Sequence, residues 1–227
     1  MNAGAYYQEK LSANKLLSCY EAAPPRIKQY LDAEIRFLVS HLKSKNRVLE
    51  LGCGYGRVLK KVSQFIPQII GNDISRNSLE LAILHMGDCP NVAVFLMDAS
   101  RMAFRPCTFD AVFCIQNGIS AFGVNRKHLI AESVRVTKRN GIMLFSSYSP
   151  KIWKTRLEWF RRQSQLGLIG ELDEEMTRDG TIICKDGFQA STISNSQFLE
   201  LFSEFGLNAS IIEVDESSIF CKAIKKE

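Results

Sequence analysis

No apolar run in this chain of 227 residues approaches the roughly 20 that a membrane-spanning helix needs. The longest, such as Ala111 to Ile115, stop after a handful, so no membrane partner is expected. The opening residues, from Met1 to Tyr6, lack the basic start and apolar centre of a secretory signal, and a cytoplasmic location is expected. The seven cysteines are an odd number without a Cys-x-x-Cys pair, and only three histidines accompany them. That excludes a disulfide framework and argues against a metal site, leaving most thiols as small buried hydrophobes. A large excess of one sign of charge is absent as well. Lys and Arg total 29 against 24 Asp and Glu, and a net charge of +5 leaves room for a nucleic-acid partner without arguing for one. Neither a repeat of 20 to 50 residues nor a low-complexity tract is present, which removes solenoids and disordered arrays. What remains is globular, with 46% hydrophobic and 23% charged residues, enough for one core and a cap.

From residue 47 short apolar runs alternate with longer amphipathic ones, the pattern of β-α-β units and a doubly wound, mostly parallel sheet. Strands are expected at Arg47–Leu51, Gln68–Asn72, Val92–Met97, Phe109–Ile115 and Ile142–Ser147. Helices are expected at Gly56–Phe65, Asn77–His85 and Asn125–Lys138, the last stopped by Asn140-Gly141. Residues 1–46 read as a helical cap or lid broken at Ala23-Pro24-Pro25, with Ile27, Leu31, Ile35, Leu38 and Leu42 on one stripe. Residues 47–150 form the wound core. A helical insertion over 151–194 follows as a substrate cap, with Trp153, Leu157 and Phe160 spaced as a helix face. The basic group from Lys151 to Arg162 and the acidic group from Glu171 to Asp179 read as solvated faces. Residues 195–227 close the domain with a helix at Asn195–Phe205 and a hairpin of Asn208–Val214 and Ser218–Ile224.

Chemistry enters at Glu50-Leu51-Gly52-Cys53-Gly54-Tyr55-Gly56-Arg57, a strand, a glycine turn and a helix start. Glycines there permit positive φ and let the backbone approach a ligand closely. Asp73 ends the following strand, where an acid can accept hydrogen bonds from both ribose hydroxyls of a nucleoside. The spacing is Gly-x-Gly-x-Gly, and Arg57 stands where a dinucleotide turn wants its last glycine. An acid at Glu50 suits a sulfonium or ammonium better than a pyrophosphate.

These residues resemble the first motif of the class I S-adenosylmethionine-dependent methyltransferases. The resemblance continues through Asp73, Met97-Asp98-Ala99, Phe109-Asp110-Ala111-Val112 and Asn140-Gly141. It implies a Rossmann-like seven-stranded sheet with the last strand antiparallel, S-adenosylmethionine as cofactor and S-adenosylhomocysteine as product. By the same resemblance Glu50, Gly52, Cys53, Gly54 and Gly56 cradle the methionine end, Asp73 meets the ribose, Met97, Asp98 and Ala99 border the adenine, and Ile74 is a further cofactor contact. Cys114, Gln116 and Asn117 line the floor beside the methyl group. It further implies a small-molecule methyl acceptor on N, O or S, with an RNA-modifying enzyme or a cofactor-binding regulatory subunit as the alternatives. After the fourth strand the chain reads Gln-Asn-Gly, unlike the Pro-Pro motif of enzymes that methylate exocyclic amines of nucleic acids. Methyl transfer requires alignment more than a dedicated base, so catalytic candidates are few: Gln116, Asn117 and Tyr148, at strand ends where ligands collect. His41, His85 and His128 fall on expected helices away from that end, and the chain is expected to act as a monomer or homodimer.

Overall fold

Strands that are apolar on both faces need cover on both sides, and the alternation from Arg47 onward supplies it. A computed structural model describes residues 3–226. Helices α1 (Ala3–Glu9), α2 (Ala13–Glu21) and α3 (Pro25–Leu42) come first, then β1 (Arg47–Leu51), α4 (Arg57–Val62), β2 (Gln68–Asp73), α5 (Arg76–Met86) and β3 (Val92–Leu96). After them come β4 (Phe109–Cys114), α6 (Arg126–Val136), β5 (Thr137–Tyr148) and α7 (Trp153–Gln165). The chain ends through β6 (Ile182–Ile183), β7 (Gln189–Ala190), α8 (Asn195–Ser203), β8 (Ala209–Val214) and β9 (Ser218–Ile224). No helix among the described residues is long and apolar enough to cross a membrane.

Seven strands form one sheet in the order β3-β2-β1-β4-β5-β9-β8. The first five pair in parallel, and the last strand of the chain, β9, lies antiparallel to both β5 and β8. Neighbouring strand residues point to opposite faces. Leu49, Val112 and Phe145 therefore join one buried cluster with Phe198 and Phe202 of α8, while Val48, Phe113 and Leu144 join another with Leu38 of α3 and Leu59 of α4. The order reverses between β1 and β4, which opens a crevice at their carboxyl ends.

The N-terminal stripe is as the spacing predicts: Ile27, Leu31, Ile35, Leu38 and Leu42 are all buried. Pro24 is extended at φ −68° and ψ 163°, and Pro25 begins α3, where a missing N–H leaves no helical bond unmade. A third cluster joins Tyr6, Cys19 and Tyr30 of these helices to Trp159 and Phe160 of α7 and to Phe188.

Two expectations are corrected. The sixth helix ends at Val136, not at Lys138, and β5 already begins at Thr137. Phe109 pairs with Thr137 while Ala111 pairs with Ile142, so the extra residues bulge from β5, with Asn140 at φ +58° and Lys138 bound to Asp110 at 2.7 Å. Asn140-Gly141 thus marks a bulge within a strand. The insertion is also only half helical. Beyond α7 the β-branched run at Thr181–Ile183 pairs back on Gln189-Ala190 as a two-stranded ribbon.

Gly71 in β2 sits beneath the glycine turn, and a Cβ there would come within 2.7 Å of Cys53 Sγ and Leu59 Cδ1. Gly71→Ala should therefore destabilise the fold by roughly 1–3 kcal/mol, as core overpacking does, read as a lower urea midpoint at unchanged slope.

Candidate functional site

The crevice at the carboxyl ends of β1, β2 and β4 holds a cavity. Its floor is the turn after β1, and its roof is made of α1, α2, α7 and the ribbon. In the turn Gly52 and Gly54 adopt φ of +67° and +52°. A Cβ on Gly52 would stand 3.0 Å from the Phe122 ring, and one on Gly54 3.2 Å from Leu16. Both glycines are thus required by conformation and by the closeness of what covers them. Asp73 secures the turn: its Oδ2 accepts from Gly54 N at 2.9 Å and its Oδ1 from Ser75 N at 2.8 Å.

Across the crevice, Gln116 and Asn117 after β4 also turn left-handed, at φ of +59° and +60°, a strained pair for residues with side chains. Glu34 holds this turn. Its Oε2 accepts from Gln116 N at 2.7 Å, and Ser146 Oγ accepts from the same N–H at 2.8 Å. Asn117 is committed to the frame, because its Nδ2 donates to Ser191 O at 3.0 Å and its Oδ1 accepts from Ser147 Oγ at 2.7 Å.

Polar atoms without partners gather here. Glu50 is 5% exposed and its Oε2 accepts no bond, and Arg57 Nη2, Asn72 Oδ1, Gln116 Nε2 and Gln163 Nε2 are likewise unpartnered. All five residues line the cavity. Buried polar groups are rarely left so, and a cluster of them facing one space calls for a polar ligand. Burial pushes the Glu50 carboxyl well above the usual carboxylate range, with nearby Arg57 opposing and Asp73 reinforcing the rise. Asp73 moves up for the same cause, partly offset by the backbone N–H groups of Ser75 and Gly54. Arg57 also lies over the Tyr20 ring at 4.5 Å.

Of the residues that the sequence singles out, the cavity brings together Glu50, Gly52, Cys53, Gly54, Asp73, Ile74, Met97, Gln116, Asn117 and Tyr148. It does not bring in Gly56, Asp98, Ala99 or Cys114. Gly56 instead opens α4, where a Cβ would meet Ala82 at 3.2 Å. Asp98 is exposed and binds Ser100 through N and Oγ at 2.7 and 2.8 Å, while Ala99 and Cys114 are buried in the core. None of the three histidines lines the cavity.

Four contributors were not foreseen: Glu34, Arg57, Arg156 and Gln163. Glu34 falls on the buried face of α3, three residues after Leu31 and one before Ile35, and that spacing was the available signal. The sequence pattern places Arg156 on a solvated basic face, yet it is fully buried. The inward stripe of α7 is Arg156, Trp159, Phe160 and Gln163. Of the remaining basic group, Arg161 pairs with Glu174 through two bonds at 2.9 and 2.8 Å, and Lys151 with Glu213 at 2.8 Å. The surface stripe available to a nucleic acid is correspondingly thin.

Residues 48–141 match the family described as methyltransferase domain. Malonyl-[acyl-carrier protein] O-methyltransferase of Legionella pneumophila is 31% identical over 110 residues, 48% of this chain and 38% of that protein. Sterol 4-C-methyltransferase strm-1 of Caenorhabditis elegans is 25% identical over 132 residues, 54% of this chain and 39% of that protein. The matches therefore span about two fifths of the length of these curated relatives. The N-methyltransferase NodS of Bradyrhizobium japonicum, solved with S-adenosyl-L-homocysteine, shares the fold over 100% of both chains with a TM-score of 0.66 at 11% identity.

Burial raises the Glu34 carboxyl to about 7, against the hydrogen bonds from Ser146 and Gln116 that favour its charge. A carboxyl raised in the folded state keeps its proton while the unfolded one loses it, so its contribution to stability falls as pH rises from 4.5 to 7. Glu34→Gln should remove that slope. Relative to wild type it should gain on the order of 3 kcal/mol across that window and no more above it, measured by urea unfolding at stepped pH.

Proposed function

We propose that this chain, whose residues 48–141 match the methyltransferase-domain family and whose sheet order suits that fold, is a class I S-adenosylmethionine-dependent methyltransferase that transfers a methyl group from that cofactor to a small-molecule acceptor. The observation that carries the reading is the set of unpartnered polar atoms, Glu50 Oε2 and Arg57 Nη2 foremost, facing a cavity floored by a positive-φ glycine turn. Those groups fit an amino-acid end: a carboxylate for its ammonium, a guanidinium for its carboxylate, and backbone without Cβ atoms against its chain. Asp73 takes the ribose hydroxyls with the lone pairs that Gly54 and Ser75 leave free. Met97 and Ile74 border the adenine. When bound, S-adenosylmethionine supplies a methyl group on a sulfonium and leaves as S-adenosylhomocysteine.

The protein's own part is alignment and exclusion of water. Gln116, held by Glu34, and Tyr148 of β5 stand at the strand ends beside the acceptor side of the cavity. Residues 1–46 and 151–194 roof that side, residues 47–150 floor it, and residues 195–227 complete the sheet. An acceptor other than nucleic acid is supported by the curated relatives, whose names specify a malonyl group on a carrier protein and a sterol, and by the pairing of surface cations on and beside α7.

Calorimetric titration tests this directly. S-adenosylmethionine should bind wild type while NAD does not, and Asp73→Ala should weaken binding by roughly tenfold or more. Folded wild-type protein that fails to bind S-adenosylmethionine would overturn the reading.

A further inference from the structure

Arg156 is fully buried, and every partner it has is neutral. Its Nη1 donates to Gly180 O at 2.7 Å and its Nη2 to Ala190 O at 2.8 Å, while its Nε has no acceptor. Its guanidinium stacks on Tyr148 at 4.3 Å, with Phe160 at 5.4 Å and Trp153 at 5.7 Å. Among the described residues no carboxylate forms an ion pair with it. A buried cation without a counter-charge is expensive, so the fold retains a positive charge that a neutral contact set does not offset.

Tyr148, Phe160 and Ala190 hold Arg156 on one side and line the cavity on the other. One layer of side chains therefore separates the charge from the cavity, where the dielectric is low and its field carries. Seven residues on, along the same face of α7, Gln163 lines the cavity at 3% exposure with its Nε2 unpartnered. The remaining walls on this side are aromatic: Tyr7, Tyr20, Trp159 and Phe188.

The same side offers little to remove a proton. Neither histidine nor lysine is among the described lining residues, and burial pushes the Tyr7, Tyr20 and Tyr148 phenols up, away from use as bases. Glu50 and Asp73 belong to the floor at the glycine turn. An alcohol or an ammonium must lose a proton before it can accept a methyl group, whereas a carboxylate is already an anionic nucleophile at neutral pH.

We propose that the acceptor is a carboxylate carried on an apolar or aromatic body, drawn to the cavity by Arg156 and met there by the amide of Gln163. The proposal rests on the methyl-transfer reading above and narrows its acceptor to one chemical class. A carboxylate oxygen forms the new bond to the methyl carbon, the carbon–sulfur bond of the sulfonium breaks with its electron pair left on sulfur, and a methyl ester and a thioether result. No proton moves, and opposite charges on the two reactants disappear together. The sulfonium donor brings one net positive charge with it, and an anionic acceptor cancels that charge.

Calorimetry on the full chain with S-adenosylhomocysteine in place tests this with three probes of one body: 3-phenylpropanoate, 3-phenylpropanamide and 3-phenylpropylamine. Wild type should bind the carboxylate about tenfold or more tightly than the other two. Arg156→Met should bring the three within about threefold while leaving S-adenosylhomocysteine affinity within about threefold of wild type. Gln163→Glu, which places a carboxylate at the cavity wall, should reverse the order in favour of the amine, and it decides the matter if Arg156→Met does not fold. Equal binding, a preference for the amine or no binding of any probe by wild type overturns the carboxylate assignment while cofactor binding stands. A carboxylate preference that survives both substitutions overturns the roles of Arg156 and Gln163. Failure to bind S-adenosylhomocysteine overturns the methyl-transfer reading beneath both.

Discussion

Two tight backbone turns face each other across the crevice, and each is held by a buried carboxylate that accepts a main-chain N–H. Asp73 anchors Gly54 on one side, and Glu34 anchors Gln116 on the other. Left-handed backbone is costly for residues with a Cβ, so the Gln116-Asn117 pair persists only because its surroundings determine it completely. Ser146, Ser147 and Ser191 supply the rest of that support. Everything above the sheet depends on the spacing between these turns: the cavity exists because both chains bend away from it at once.

That dependence explains why two acids in the same region differ in character. Asp73 is enclosed by N–H donors that favour its charge, whereas Glu50 is enclosed without any and is opposed mainly by Arg57. Asp73 is a carboxylate that holds the turn and keeps lone pairs for a ligand. One left unsatisfied, next to an unpaired guanidinium, is poised for something the fold does not contain.

Much of this was legible in the amino-acid order because it rests on short-range chemistry. The bounds of β1 and β9, the five-residue stripe of α3 and the hairpin turn at Asp215-Glu216, where both residues take positive φ, follow from alternation, helical spacing and turn preference. The errors came where tertiary pairing overrode a local signal. Asn140-Gly141 has the composition of a helix stop, but the partner strand β4 draws the chain into a bulged strand three residues earlier. Arg156 looked solvated because it stands among other basic residues, although Trp159, Phe160 and Gln163 share its face. Trp153, Leu157 and Phe160 pack on one buried cluster as their spacing predicts, and Arg156, Trp159 and Gln163 are buried beside them. Gly56, Asp98, Ala99 and Cys114 carry the motif without reaching the cavity, since a pattern of residue types does not say which way each side chain turns.

The roof closes along a seam between Tyr6 and the ribbon. Tyr6 donates a hydrogen bond to Asp186 at 2.6 Å, and its ring meets Phe188 edge to face at 5.1 Å, across 180 residues of chain. Contacts of such separation form only after the intervening loop has been closed, which makes them entropically late. A nascent chain that has passed β4 already contains the glycine turn with its Asp73 anchor, whereas the Gln116 turn still awaits Ser146, Ser147 and Ser191. The chain gains an enclosed aromatic chamber only when synthesis has continued through the ribbon, so the roof closes over a glycine turn that is made first.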